Sequence, residues 1–305
     1  MSSPFHPSPP SGDPFRIEPG ASFSAAESPT RYPVADSKKT LAANVKRIAE
    51  AQRKLYADNR YAILLVFQAV DAAGKDSTIR KVLSGVNPAG CQVFSFKQPS
   101  TEELDHDFLW RTAKRLPERG RIGVFNRSYY EEALVVRVHP EYLGGQRIPG
   151  LDPEALPDDF WEQRFHSIRE HEEHLARNGT VILKFWLRVS RLEQARRLLA
   201  RLERPEKNWK FSAGDLSERK LWDHYTSAYE DLLPATSRPW APWYAIPADD
   251  KRDMRAIVSS IVAETLEALP LRWPEVTAEQ KEGHVVYKDA LRAEIRDLGG
   301  EPIPQ

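Results

Sequence analysis

The sequence predicts an α/β fold in which a parallel sheet is covered by helices on both faces. Three observations predict it. Short apolar runs of strand character alternate with helix-period segments at the spacing of strand–helix–strand units. The strongest run, Tyr61 to Phe67, is continuously apolar, as a strand buried on both faces must be. That run feeds directly into Asp71-Ala72-Ala73-Gly74-Lys75, a small-residue loop that opens a helix.

The elements follow in order. Residues 1–33 are rich in Pro, Ser and Gly and bury too little to offset the entropy of ordering, so a mobile or loosely packed tail is expected there. Leu41, Val45, Ile48 and Leu55 recur at helical spacing between Ser37 and Asn59. After the Tyr61–Phe67 strand and its loop, strands are predicted at Gln92–Phe96 and Arg121–Phe125, with a helix over 102–116 between them. A long excursion through Gly144-Gly145 precedes a helix at about 158–178. Val181–Leu187 reads as a strand, Arg191–Arg204 as a helix, Ser217–Leu233 as a helix, Trp243–Ile246 as a short strand and Asp250–Ala268 as a helix. The domain therefore runs over about 34–270, and residues 271–305 form an extension with one more helix near Val285–Leu298.

Composition narrows the function classes. A chain of 305 residues, 41% of them apolar, suits one decorated α/β domain with a proper core. Basic and acidic residues balance at 44 each, so any positive field must come from a local cluster. Cys91 is the single cysteine, which excludes an intramolecular disulfide. No segment resembles a secretory signal or a membrane span, and a reducing, cytoplasmic setting is the default expectation, with no membrane or nucleic-acid partner.

Three segments carry chemistry. In Ala69 to Thr78, small residues let backbone N–H groups converge on an anion at a helix N-terminus, and Lys75 supplies charge for outer phosphates. Ala72, Ala73, Gly74, Asp76, Ser77 and Thr78 are thus expected around phosphate. Asp76 stands where a Ser or Thr usually meets Mg²⁺; Ser77 or Thr78 replaces that hydroxyl, or nothing does. Asp71 beside phosphate would repel it unless a cation intervenes, so Asp71 is read as a Mg²⁺ ligand. An ordinary strand–turn–helix junction, with Asp76 as a favourable first-turn carboxylate, is the alternative.

The second segment, Asn126-Arg127-Ser128-Tyr129-Tyr130-Glu131-Glu132, follows a strand that ends in uncharged Asn126. Arg127 is placed to reach a phosphate, and Glu131 or Glu132 to supply metal-binding charge; Ser128 and Glu131 also satisfy a helix capping box. The third, Arg188 to Lys210, holds eight basic residues against three acidic ones. Arg197, Arg201 and Arg204 share one helix face, and Leu192, Ala195, Leu199 and Leu202 share another. With Arg188 and Lys210 they read as a lid, about 188–217, whose arginines close on phosphate in bidentate fashion; a solvated face with a Glu193–Arg197 pair is the bland alternative. His171 and His174 lack a third ligand and read as ordinary histidines.

Together these segments resemble polyphosphate kinase family 2. Further matches are Trp209-Lys210-Phe211-Ser212 with Asp215-Leu216, Trp222-Asp223-x-Tyr225, and Ala241-Pro242-Trp243 with Ile246-Pro247-Ala248-Asp249-Asp250-Lys251. The resemblance implies a thymidylate-kinase-like P-loop kinase fold with a helical lid. It implies Mg²⁺-dependent, reversible phosphoryl transfer between inorganic polyphosphate, held in a basic channel, and AMP or ADP, and often a homo-oligomer. Carried over by position, Asp71 would bind Mg²⁺ and orient the acceptor phosphate, Lys75 and Arg127 would neutralise the transferring group, and the lid would complete the clamp. The Tyr129-Tyr130-Glu131-Glu132 form resembles the subgroup that uses both acceptors; Asn126 departs from the acidic residue common in the wider family. A conventional ATP-dependent nucleotide kinase is the nearest rival, and a non-catalytic polyanion-binding module is the rival of a different class.

Overall fold

β2 (Ala62–Gln68) occupies the centre of the sheet because all seven of its residues are buried. The protein, described here by a computed structural model, is seen over residues 13–301 and 303. β4 (Ile122–Asn126) and β5 (Thr180–Arg188) flank β2 and run parallel to it. β3 (Cys91–Ser95) closes one side, and β6 (Trp243–Pro247) follows β5 on the other. The register sets Phe67 opposite both Asn126 and Phe185. The carboxyl ends of the three central strands are therefore level, which is where ligands bind in open parallel sheets.

Alternation along β2 divides the core in two. Ile63, Leu65 and Phe67 pack with α1 (Ser37–Asp58) and α10 (Lys251–Ala268), through Ile48, Leu55, Ile257 and Val262. Leu64 and Val66 face α5 (Glu131–Val138), α6 (Phe160–Arg177) and α9 (Trp222–Thr236), through Leu134, Phe165 and Leu232. Each such fully buried side chain contributes about 1.5–3 kcal/mol, so the two layers hold the sheet rigid beneath its carboxyl edge. α2 (Lys75–Val82) and α7 (Arg191–Glu203) start at that edge, the latter capped by Ser190 Oγ, which accepts from Glu193 N at 3.1 Å.

Three expectations are corrected. The segment 13–33 is not loose: Arg16–Ile17 form β1, antiparallel to β6 at the sheet edge, and Ile17 and Ala25 are buried. Two β-bonded residues and two small apolar anchors suffice where the sheet supplies the partner. Residues 1–12 lie outside the described residues. The helix expected over 102–116 is two single turns, α3 (Thr101–Leu104) and α4 (Trp110–Ala113), because the Asp107 carboxylate accepts from Leu109 N at 2.9 Å and restarts the turn. The helix expected over 217–233 is likewise split, into α8 (Ala213–Lys220) and α9.

The chain divides into two compact units, one through Leu271 and one from Arg272. The second is built on α11 (Ala278–Asp297), longer than the Val285–Leu298 expected, because a Thr277–Gln280 capping box starts it a full two turns earlier. Among the described residues no helix is long and apolar enough to cross a membrane.

Candidate active site

The loop between β2 and α2 is braced by α7. Ala72 takes φ +63° and Gly74 φ +113°, both left-handed. Glycine accepts this freely, whereas for Ala72 it costs about 1–2 kcal/mol, so the surroundings must hold it. α7 does so from behind. Gln194 Nε2 donates to the Asp71 carbonyl at 3.0 Å, and Arg197 Nη1 to the Ala72 and Ala73 carbonyls at 3.3 and 2.6 Å. A planar peptide whose carbonyl is held on one side presents its N–H on the other, so the N–H groups of Ala72 and Gly74 point away from α7. Lys75 Nζ donates to the Ala69 carbonyl at 2.8 Å and lies along the same loop. Loop, helix N-terminus and lysine together make an anion site.

Arg127 joins this loop to β4. It also sits at positive φ, +64°, with its N–H donating to Phe67 O at 3.0 Å. Its Nη2 donates to Asp71 Oδ1 at 2.6 Å and its Nη1 to Glu131 Oε2 at 2.7 Å, while Gln68 Nε2 donates to Glu131 Oε1 at 2.9 Å. Burial works to raise the Asp71 pKa, but the Lys75, Arg127 and Arg201 charges outweigh it and hold the carboxyl below its usual range. Lys75 is pushed down to about 8, first by burial and then by the Arg127 charge, against the pull of Asp71, Glu131 and Asp76. The Arg127 guanidinium is held firmly protonated, with the Glu131 charge the leading cause.

Two cavities meet at Arg127 and Glu131. The smaller, about 290 Å³, holds Asp71, Ala69, Gln194 and Asp215 and is roofed by α8. The larger, about 600 Å³, lies between the end of β3 and α5, walled by Phe96, Pro99, Arg111, Glu132, Tyr142 and Gln146.

The expected site residues separate. Asp71, Ala72, Ala73, Gly74, Lys75, Arg127 and Glu131 come together. Asn126 and Asp76 bond each other at 2.6 Å beside the loop. The Ser77 and Thr78 hydroxyls both donate back to Gly74 O at 3.0 Å, and Thr78 is fully buried, so Thr78 has no route to metal or phosphate. Glu132 is not a free metal ligand: it is buried, paired with Arg111 at 3.3 Å and accepting from Gln146 at 2.7 Å, and burial raises its pKa against the pull of Arg111 and Arg164. Tyr129 and Tyr130 are entirely buried, their hydroxyls both donating to Glu172 at 2.8 Å.

The basic helix is corrected most. Arg197 is 9% exposed and donates to four carbonyls, those of Ala72, Ala73, Ala248 and Asp249, as well as to Glu193. It braces the loop and does not clamp a substrate. Arg201 pairs with Asp215 at 3.0 Å on the cavity wall and adds its charge at Asp71. Arg204 and Lys210 are exposed, Lys210 over the Trp209 ring. Arg188 donates to Ala26 O at 3.3 Å and so ties down the N-terminal segment. Sequence reasoning missed Gln68, Gln194 and Arg111. Gln194 carried a legible signal, since it lies three residues before Arg197 on the same helix face.

Oxygen chemistry around Asp71 suits Mg²⁺. Among the described residues no three acidic, His or Cys side chains converge on one point. Mg²⁺ does not need that: it is commonly held by one or two carboxylates with waters and substrate phosphates. Gln68 Oε1 and Asn126 Oδ1, on neighbouring strand ends, are buried acceptors without a hydrogen-bond partner.

Comparison with known proteins agrees with this geometry. The model of the family described as polyphosphate kinase 2 matches residues 34–272. An ADP-polyphosphate phosphotransferase of Rhodopseudomonas palustris is 55% identical over 274 residues, 88% of this chain and 94% of that one. An AMP/ADP-polyphosphate phosphotransferase of Meiothermus ruber is 45% identical over 237 residues, 77% of this chain and 84% of that one. The crystal structure of polyphosphate kinase 2 from Arthrobacter aurescens TC1 superposes with a TM-score of 0.78 at 37% identity, covering 90% of this chain and 95% of that one. With a braced phosphate loop, an Asp–Arg–Glu bridge and a family match across most of its length, this chain belongs to the polyphosphate kinase 2 family and has its P-loop kinase fold.

Proposed function

We propose that this protein is a polyphosphate kinase that transfers a phosphoryl group between inorganic polyphosphate and AMP or ADP. The observation that carries the reading is that two cavities, one on the phosphate loop and one beside it, share Arg127 and Glu131. Two substrates seated there present their reacting ends to one guanidinium. The larger cavity, with Phe96, Pro99 and Tyr142 on its wall, takes the nucleoside of the acceptor. The polyphosphate chain lies over the loop and continues past a cluster of cations. Lys251 is held below its ordinary pKa first by burial and then by Arg197, Arg255 and Lys207; Arg255, after burial, by Arg80 and Arg197. Such mutual repulsion is relieved by a polyanion.

The residues present account for the catalysis. Lys75, Arg127 and Arg201 neutralise charge as the phosphoryl group moves, in a site partly closed to water. Mg²⁺, bound at Asp71 together with phosphate oxygens, would supply Lewis-acid charge there. Glu131 lies between the cavities and is the carboxylate that meets either acceptor; Glu132, spent on Arg111, is not.

The test is to incubate the purified protein with polyphosphate, Mg²⁺ and AMP, with no other nucleotide, and to resolve the nucleotides over time. ADP is expected first and ATP later, and Glu131→Gln is expected to change the ratio of the two steps. Turnover that requires added ATP would replace the reading with an ATP-dependent nucleotide kinase. Use of one acceptor alone would overturn the dual range and leave the donor assignment standing.

A further inference from the structure

Gln194 spans two elements with one amide. It is 3% exposed, its Nε2 donates to the Asp71 carbonyl at 3.0 Å, and its Oε1 accepts from Arg219 Nη1 on α8 at 2.6 Å. An amide can donate to a carbonyl and accept from a guanidinium at once, which an ionised carboxylate of the same length cannot.

α8 has no buried residue of its own. Polar ties seat it over the smaller cavity: Arg219 to Gln194, Asp215 to Arg201 at 3.0 Å, and Glu218 to His139 at 3.1 Å and Tyr225 at 2.6 Å. An element held this way opens at low cost compared with one anchored in the core. The loop it covers is strained at Ala72 and depends on α7 for its shape.

We propose that Gln194 is a positioning residue that couples the seating of α8 to the shape of the phosphate loop. With α8 seated, Arg219 fixes the amide oxygen, which aims the amide N–H₂ at the Asp71 carbonyl and keeps that peptide drawn back. With α8 lifted, the amide is free to turn, the Asp71 peptide loses its restraint, and the anion site loses its arrangement. Covering the site and forming it are then one event, which suppresses phosphoryl transfer to water, because the open and solvated site lacks its anion-binding arrangement. This rests on the proposed activity, but its principal readout does not.

The experiment compares Gln194→Glu, Gln194→Met, Arg219→Leu and the Gln194→Met/Arg219→Leu pair. Glutamate keeps the acceptor for Arg219 but sets an oxygen against the Asp71 carbonyl; methionine removes both bonds at similar volume. Hydrogen exchange at the amides of residues 72–75 is expected to quicken in every variant, and the pair to match Gln194→Met alone. Turnover with polyphosphate is expected to fall about 100-fold in both Gln194 variants, as for other small losses of positioning. The KM for nucleotide is expected to hold, the mark of an interaction used in the transition state. Unchanged exchange, independent additive losses in the pair, or a rise in KM with kcat intact would each overturn the proposal. If a Gln194 variant does not fold, Arg219→Leu decides by the same exchange readout, since α8 buries nothing. A wild-type protein without polyphosphate turnover would refute the function reading while the exchange result still answers this one.

Discussion

Lys75 shows how a single side chain's surroundings set its use. Its ammonium is drawn toward loop carbonyls, crowded by Arg127, and holds its proton only up to about pH 8, where a free lysine holds it to 10.5. The charge proposed to attract polyphosphate is therefore lost as pH rises through about 8, and a bound polyanion would restore it by favouring the protonated form. Calorimetric binding of polyphosphate is expected to weaken between about pH 7 and 9, with proton uptake on binding at the upper end. Lys75→Arg, which stays charged, should flatten that profile; a wild-type profile already flat would show that Lys75 keeps its proton. Lys75→Ala is expected to lower kcat by about 10²–10³ with the fold intact, the range for removing one such donor. Arg197 is the contrary case. An arginine on a basic helix face invites a substrate role, yet its donors are spent on loop carbonyls.

Between elements, the segment that carries Arg127 is anchored from below by a buried ion pair. Lys184 of β5 donates to Glu172 of α6 at 2.6 Å, to the Tyr130 hydroxyl at 2.8 Å and to Thr236 O at 2.8 Å, and both charged chains are fully buried. Tyr129 and Tyr130 of the Asn126–Glu132 motif close the network on Glu172. These tyrosines hold the start of α5 to the sheet, and so set where Arg127 and Glu131 emerge. Lys184→Met should destabilise the protein by about 3–5 kcal/mol, because Glu172 is left charged and unpaired. That corresponds to a fall in Tm of roughly 10 °C by calorimetry. Lys184→Met/Glu172→Leu should recover part of the loss, since an apolar replacement of both partners removes the orphaned charge. A single variant as stable as the wild type would show that the pair is not an anchor.

For the molecule as a whole, the sheet is completed by residues that precede the region matched by the family. β1 pairs with β6, Ser237 Oγ donates to Ile17 O at 2.6 Å, and Asp249 N donates to Thr30 O at 2.9 Å. A chain beginning at Val34 should lose about 3 kcal/mol or more, from the lost burial of Ile17 and Ala25 and the exposure of the surfaces they cover. It should unfold roughly 6–12 °C lower by thermal scan. An unchanged midpoint would make residues 13–33 a decoration.

What the sequence by itself determined was local or strictly periodic. β2, β4 and β5 were legible because a strand buried on both faces must be continuously apolar, and α1, α6, α7 and α10 because their apolar residues recur at helical spacing. The loop with Lys75 was legible because a phosphate loop needs small residues, a lysine and a helix start in consecutive positions, and Arg127 stood out because it follows the end of a strand. The tertiary structure alone decided what depends on distant partners. Which of two adjacent glutamates lines both cavities was settled by Arg111, which pairs with Glu132, and by Gln68 and Arg127, which hold Glu131 where the cavities meet. Which residues of the basic helix brace the loop was settled by the carbonyls of the Asp71–Ala73 turn, which claim Gln194 and Arg197. A strand of two residues, β1, carries no period at all, and exists only because β6 offers it an open edge. Spacing along the chain predicts the face a side chain shares, but the hydrogen-bond partner waiting across that face is a property of the fold.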